Sequence, residues 1–219
     1  MTDRGNIYQK LILIAKDKLD EQGALPRSLA ELAALADIEE AEVQNNFTSI
    51  DDLREGLFYQ AVVLLNDELR RGVLDAGIES PDAQLRSLAR SYAKWADGNP
   101  ALFRLLIEGL NGPVEPDSTL YRFTISMRDL IARKLNEMRE LGQLRKDTDI
   151  PAILILLHCL IKGAGSILAS RDRDPWIKED PRPTQQIAWE MFDYCLDSVL
   201  ASNAPEADDD AAELEMIRS

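Results

Sequence analysis

The chain has 219 residues, 45% of them apolar, which suffices for a folded core and is too many for a disordered chain. Asp and Glu outnumber Lys and Arg by 39 to 25, leaving a formal charge of −14. Attraction to phosphate underlies nucleic-acid affinity, so this balance excludes a general polyanion binder while leaving room for a local basic face.

Apolar residues recur at three- and four-residue spacing almost throughout, and alternating strand patterns are scarce, so the chain reads as all-α. A first helix is expected over residues 6–22, with Ile7, Leu11, Ile14, Ala15 and Leu19 inward and Gly23 closing it. Leu29, Leu32, Ala33 and Leu35 give a short helix an apolar face, and Ala36-Asp37-Ile38 makes a turn. Ile38, Val43 and Phe47 then anchor a second short helix over 39–47. Thr48-Ser49 is a cap pair that starts a longer helix over 51–76, carrying Leu53, Leu57, Phe58, Ala61, Leu64, Leu65 and Leu69. Residues 77–81 break the chain, with Ser80 and Pro81 opening a helix to residue 97 that presents Leu85, Leu88, Ala89, Tyr92 and Trp95. Gly98-Asn99-Pro100 separates it from a short apolar helix over 101–110. After a Gly/Pro loop, Asp117 or Ser118 caps a long helix ending near Leu141-Gly142. Asp149-Ile150-Pro151 opens an apolar helix to Ser170, 171–183 form a polar loop, and Thr184 caps a last helix to Ser202. Residues 203–219 are an acidic tail expected to be disordered. The implied units are 1–50, 51–202 and that tail.

Cys159 and Cys195 lie far apart and the single histidine is His158, so there is neither a disulfide framework nor a zinc pattern, as in a reducing cytosol. The start of the chain lacks the apolar run of a signal peptide. The longest apolar run, 150–161, is too short to span a bilayer and reads as a buried helix, so the expected location is cytoplasmic with no membrane partner. His158 and Cys159 are neighbours on a helix and point in different directions, which excludes a nucleophile–base pair. With no Ser-His-Asp set, phosphate-cradling loop or metal cluster, no enzyme, cofactor or metal is expected.

Residues 28–53 have the layout of a helix-turn-helix, but the second helix opens with Glu39, Glu40 and Glu42. Carboxylates in a first turn favour the helix dipole without any function, and they oppose DNA affinity. Against that, Gln44, Asn45 and Asn46 are amides suited to adenine edges, and Glu42 is able to accept from cytosine. Arg27, Ser28, Thr48 and Ser49 stand at helix starts, where side chains and backbone N–H groups hold phosphates. In the middle helices Phe58, Tyr92, Trp95, Phe103, Leu106, Phe123 and Met127 either fill a core or line an apolar ligand pocket, with Arg104 and Glu108 as candidates for a polar end. The helix over 151–170 is apolar on more than one side and the last helix is similarly rich, so both need extensive cover. Leu157, Ile161, Gly163, Gly165, Trp189, Phe192 and Leu196 are the expected contacts with a second copy, with burial inside one subunit as the alternative.

This order of helices resembles the TetR family of bacterial transcriptional regulators. The likeness is firmest over Ile12 to Ala61, where the apolar positions, the helix lengths and the phenylalanine before a Thr-Ser cap fall as in the family. Trp95 to Leu106, WADGNPALFRLL, also looks like a stretch many members carry. Asp37 stands where members have Gly, Glu39 and Glu40 replace a small cap and a lysine, and Glu42 replaces a Thr. Gln44-Asn45-Asn46 replace an aromatic trio, and Ile50 replaces a phosphate-facing lysine. The resemblance implies an N-terminal three-helix DNA-binding unit on a C-terminal helical body that binds ligand and dimerises. The function it implies is a ligand-responsive regulator that binds a pseudo-palindromic operator as a homodimer and responds to an apolar or amphipathic small-molecule effector. The alternative is a protein of this fold that binds small molecules, lipid or protein and has lost DNA binding.

Overall fold

The computed structural model describes residues 3–76 and 80–202, with side chains from residue 6 onward; the acidic tail and residues 77–79 of the expected break lie outside the described residues. Among the described residues the secondary structure is helical: α1 (Asp3–Gln22), α2 (Leu29–Ala36), α3 (Glu40–Gln44), α4 (Ile50–Asp75), α5 (Pro81–Gly98), α6 (Pro100–Asn111), α7 (Thr119–Glu140), α8 (Ile150–Ser170) and α9 (Thr184–Ser202).

Polar caps set most of the helix starts. Ser28, Ser49 and Ser118 each accept a hydrogen bond from the backbone N–H three residues on, at 3.1 Å, and Asp149 does so at 3.0 Å. Each satisfies one of the N–H groups a helix leaves without a partner. Of the two expected caps for α7, Ser118 is the one used. Thr184 is the first helical residue of α9 rather than a residue ahead of it.

The N-terminal head packs α1, α2, α3 and the start of α4 around Leu11, Ile12, Leu32, Val43, Phe47, Leu53 and Leu57, all essentially inaccessible. Phe47 stacks on Tyr8 of α1 with ring centroids 5.1 Å apart. Its full burial is worth about 1.5–3 kcal/mol. Gly56 lets α4 approach this stack, since a Cβ there would stand 2.9 Å from both Ile12 Cδ1 and the Tyr8 hydroxyl. Leu35, expected on the apolar face of α2, instead points outward with 47% exposure, and Ala36 is buried in its place.

The body surrounds α5, which packs against α4, α6, α7, α8 and α9. Arg86 on α5 reaches Asp193 at 3.2 Å and Asp197 at 2.6 Å on α9, and Arg90 reaches Asp193 at 3.0 Å. α8 corrects one expectation. The helix runs to Ser170 as expected, but the apolar segment read as too short to span a bilayer is, with a 3-10 turn over Arg171–Arg173, long and apolar enough to cross a membrane by length and composition, and much of it is not buried. Here one side of it packs on α6, α7 and α9 within the bundle.

Candidate functional site

Two helices joined by a tight turn form the tip of the head. Asp37 ends α2 in left-handed backbone (φ 52°, ψ 52°). Its N–H donates to Ala34 O at 3.4 Å, and that of Ile38 to Ala33 O at 3.2 Å, the paired closure usually made with glycine. α3 is shorter than the expected 39–47. The N–H groups of Asn46 and Phe47 both return to Val43 O at 2.9 Å, and that tight closure sends Phe47 into the core.

The expected DNA-facing residues are all on this tip. Arg27, Ser28, Glu42, Gln44, Asn45, Thr48 and Ser49 are exposed, and Asn46 is half-exposed. Several of their polar groups are engaged within the chain. Gln44 donates to Glu40 at 3.1 Å and Asn46 to Glu42 O at 2.8 Å. Thr48 donates its N–H (2.8 Å) and hydroxyl (3.1 Å) to Asp52, and the Arg27 N–H donates to Glu31 at 2.7 Å. Lys18 also donates to Glu31, and these contacts, Lys18 foremost, hold its carboxyl below the usual range. The head's other lysines are occupied too: Lys10 donates to Ala36 O at 2.7 Å and Lys16 pairs with Asp20 at 2.7 Å. The tip therefore presents Asp37, Glu39, Glu40 and Glu42 beside the amides, with Arg27 and Arg54 as its exposed arginines.

Below the head, α4 to α9 enclose an apolar cavity of about 550 Å³, within the usual size for a small-molecule site. Tyr92, Leu106, Phe123 and Met127 line it as expected from sequence, but Phe58, Trp95 and Phe103 do not. Phe58 packs on Gly109 of α6, leaving no room for a Cβ there. Trp95 and Phe103 are buried edge to face at 6.3 Å, and Phe103 meets Tyr92 in the same way at 5.5 Å. Arg104 and Glu108 are exposed and lie outside the lining. The polar lining comes instead from Tyr92, which was expected, and from Thr124, Arg128, His158 and Lys162, which sequence reasoning missed. Their signal was faint: Thr124 and Arg128, like His158 and Lys162, are one helical turn apart within apolar stretches. Tyr92 crosses the cavity toward Gly165 of α8, where a Cβ would stand 3.2 Å from its hydroxyl and 2.8 Å from Ile107 Cδ1. Burial pushes the Tyr92 phenol well above its ordinary range, so it remains protonated.

The seven residues expected to meet a second copy divide sharply. Leu157, Phe192 and Leu196 are buried inside the subunit, and Gly165 packs against Ile107. Ile161 lines the cavity, and Trp189 lies under the guanidinium of Arg90 at 5.2 Å. Gly163 alone of the set stands exposed. The inner stripes of both helices are consumed by core and cavity, so the outward stripe is a different one. It comprises Leu156 (48% exposed) with Cys159 on α8, and Met191 and Tyr194 (77% exposed) on α9, while Ile155 (67% exposed) belongs both to this stripe and to the edge of the cavity.

His158 and Cys159 are both exposed, and no hydrogen bond joins them. Among the described residues no three His, Cys, Asp or Glu side chains stand together as metal ligands.

No family model and no curated protein matches the sequence. Solved structures do match along almost the whole chain. A protein of unknown function from Rhodococcus sp. RHA1 is 20% identical with a TM-score of 0.70, over 91% of this chain and 96% of that one. The ketosteroid transcriptional regulator KstR2 of Mycobacterium tuberculosis is 17% identical at 0.62, over 91% and 96%. Thermus thermophilus FadR, a TetR-family transcriptional repressor solved with lauroyl-CoA, is 22% identical at 0.56, over 92% and 97%. The chain has the fold of TetR-family transcriptional regulators.

Proposed function

We propose that the protein is a cytoplasmic, dimeric, ligand-responsive transcriptional regulator of TetR type, not an enzyme. The observation that carries this reading is the course of α4. One continuous helix of 26 residues, about 39 Å long, has Leu53 and Leu57 in the core of the head and Leu65 and Leu69 in the cavity wall. A molecule that fits the cavity better in one tilt of α4 than in another necessarily changes where α3 stands. Two such heads, joined through the outward stripe of α8 and α9, would place α3 in successive major grooves of a pseudo-palindromic site. Asn45 and Asn46 are the base-reading candidates, and the α2 and α4 starts with Arg27 the backbone contacts. The apolar cavity fits an apolar or amphipathic effector, in keeping with the lauroyl-CoA bound by the FadR structure of this fold.

Selection from a pool of randomised duplexes tests this reading. Enrichment of an inverted repeat with half-sites one helical turn apart is expected, and its loss in Asn45→Ala or Asn46→Ala would tie it to α3. A pool that stays random would refute operator binding. The exposed carboxylates at Asp37, Glu39, Glu40 and Glu42 favour a second reading, a TetR-fold protein that has lost DNA contact and binds a small molecule, lipid or protein. It predicts that random pool together with ligand uptake in the body.

A further inference from the structure

The charged side chains that reach the cavity, Arg128 and Lys162, share one sign. Tyr92 makes no hydrogen bond among the described residues and stays a neutral donor. Arg128 on α7 and His158 and Lys162 on α8 contribute cationic or proton-donating groups, and no Asp or Glu belongs to the lining among the described residues. Lys162 is fixed in place: its ammonium donates to Leu110 O at 2.6 Å, with Asn111 Oδ1 at 3.5 Å, both at the end of α6. An ammonium has three N–H donors, so one is left over, and among the described residues no carboxylate pairs with it. Arg128 lies 3.5 Å from Asp129, with both side chains more than half exposed, a pairing that solvent screens heavily.

We propose that this cavity selects apolar molecules carrying one anionic end, a carboxylate or a phosphate monoester, with the apolar body inward and the anion between Arg128 of α7 and Lys162 of α8. The inference rests on the cavity being the effector site and gives that site a charge preference. Cationic amphiphiles are disfavoured because the charged groups of the lining, Arg128 and Lys162, repel them, with Asp129 outside the lining and exposed to solvent, and a neutral alcohol gains one weaker hydrogen bond. Charge-assisted hydrogen bonds to a partly desolvated anion are the stronger kind.

Displacement of Nile red, a neutral apolar dye, from the purified full-length protein tests the preference. Dodecanoate, dodecyl phosphate, dodecanol and dodecyltrimethylammonium carry the same chain on four headgroups. One or both anions are expected to displace the dye at concentrations about tenfold below dodecanol, the discrimination one charge-assisted hydrogen bond supplies, with the ammonium weakest. The order of the two anions separates carboxylate from phosphate as the native end. Arg128→Gln and Lys162→Gln should each narrow the gap by weakening the anions far more than dodecanol. Lys162 also holds the end of α6, so Arg128→Gln, at an exposed position, keeps the test valid if the lysine variant melts early. Equal displacement by all four, or an advantage for the ammonium, overturns the anion preference while leaving the cavity as a ligand site. Failure of the dye to enter overturns both.

Discussion

Replacing Glu39 and Glu40 with lysine asks whether the head lies on a DNA backbone at all. Both residues are exposed at the start of α3. Glu39 precedes the helix without capping it, and Glu40 contributes only the 3.1 Å contact to Gln44. Val43 and Phe47 hold α3 in place from the other side, so the double variant keeps the fold apart from a small penalty against the helix dipole. If α3 enters a groove, its first turn sits over the phosphates that flank it. Each lysine that neutralises a phosphate steepens the dependence of log affinity on log salt by about 0.9. Two substitutions in each of two subunits therefore add about 3.6 to the slope. Over a fourfold rise from 50 to 200 mM salt, the variant should lose about a hundredfold more affinity than the parent. Fluorescence anisotropy with an unrelated duplex across that range reads the slope directly, and melting curves check the fold. Parallel salt dependence in parent and variant would refute the docking geometry, because the new charges would then lie away from phosphate.

Other substitutions test the remaining parts. Asp37→Gly should leave stability unchanged or raise it by up to about 1 kcal/mol, since glycine takes left-handed backbone freely, whereas Asp37→Val should cost about 1–2 kcal/mol; chemical denaturation distinguishes them. Burial raises the Tyr92 phenol pKa above its ordinary 10.0, so the stability it contributes is whole below pH 10. It is lost as pH climbs toward the folded-state value, because the unfolded chain gives up its proton first. Tyr92→Phe should flatten the fall in melting temperature above pH 10, although Tyr8, also raised by burial, keeps part of it. Ile155→Asp places a charge on the outward stripe of α8 and should yield a folded monomer by sedimentation. A dimer that persists would put the interface elsewhere.

Periodicity and caps made the head and the start of α7 legible. The serines ahead of α2, α4 and α7 and the apolar spacing of Leu11, Leu32, Val43 and Leu53 leave little freedom in where those helices start or which way they face. The end of α3 was less legible because Val43 and Phe47 keep helical spacing past it, although Asn45 and Asn46 between them favour a turn. Within the body, sequence identified α8 and α9 as helices needing cover on several sides but not which stripe faces inward. Leu157 is buried and its neighbour Leu156 is 48% exposed, a distinction made by the neighbouring helices and not by residue type. The cavity was hidden for a related reason. Tyr92 and Trp95 lie one turn apart on α5, yet Trp95 completes a core around Phe103 while Tyr92 borders open volume. Volume left unfilled among six helices has no local sequence signature. Arg128 and Lys162 line the same cavity only because α7 packs on α8, which no local pattern in either helix announces.

Anisotropy of the full-length protein with duplex DNA from upstream of its own gene, against an excess of unrelated duplex, tests operator binding most directly. Selective binding that survives physiological salt is the result this account predicts, with the α3 carboxylates then acting as local helix stabilisers. Absence of binding even at low salt would contradict it and leave the helix-turn-helix as a scaffold for the ligand-binding body.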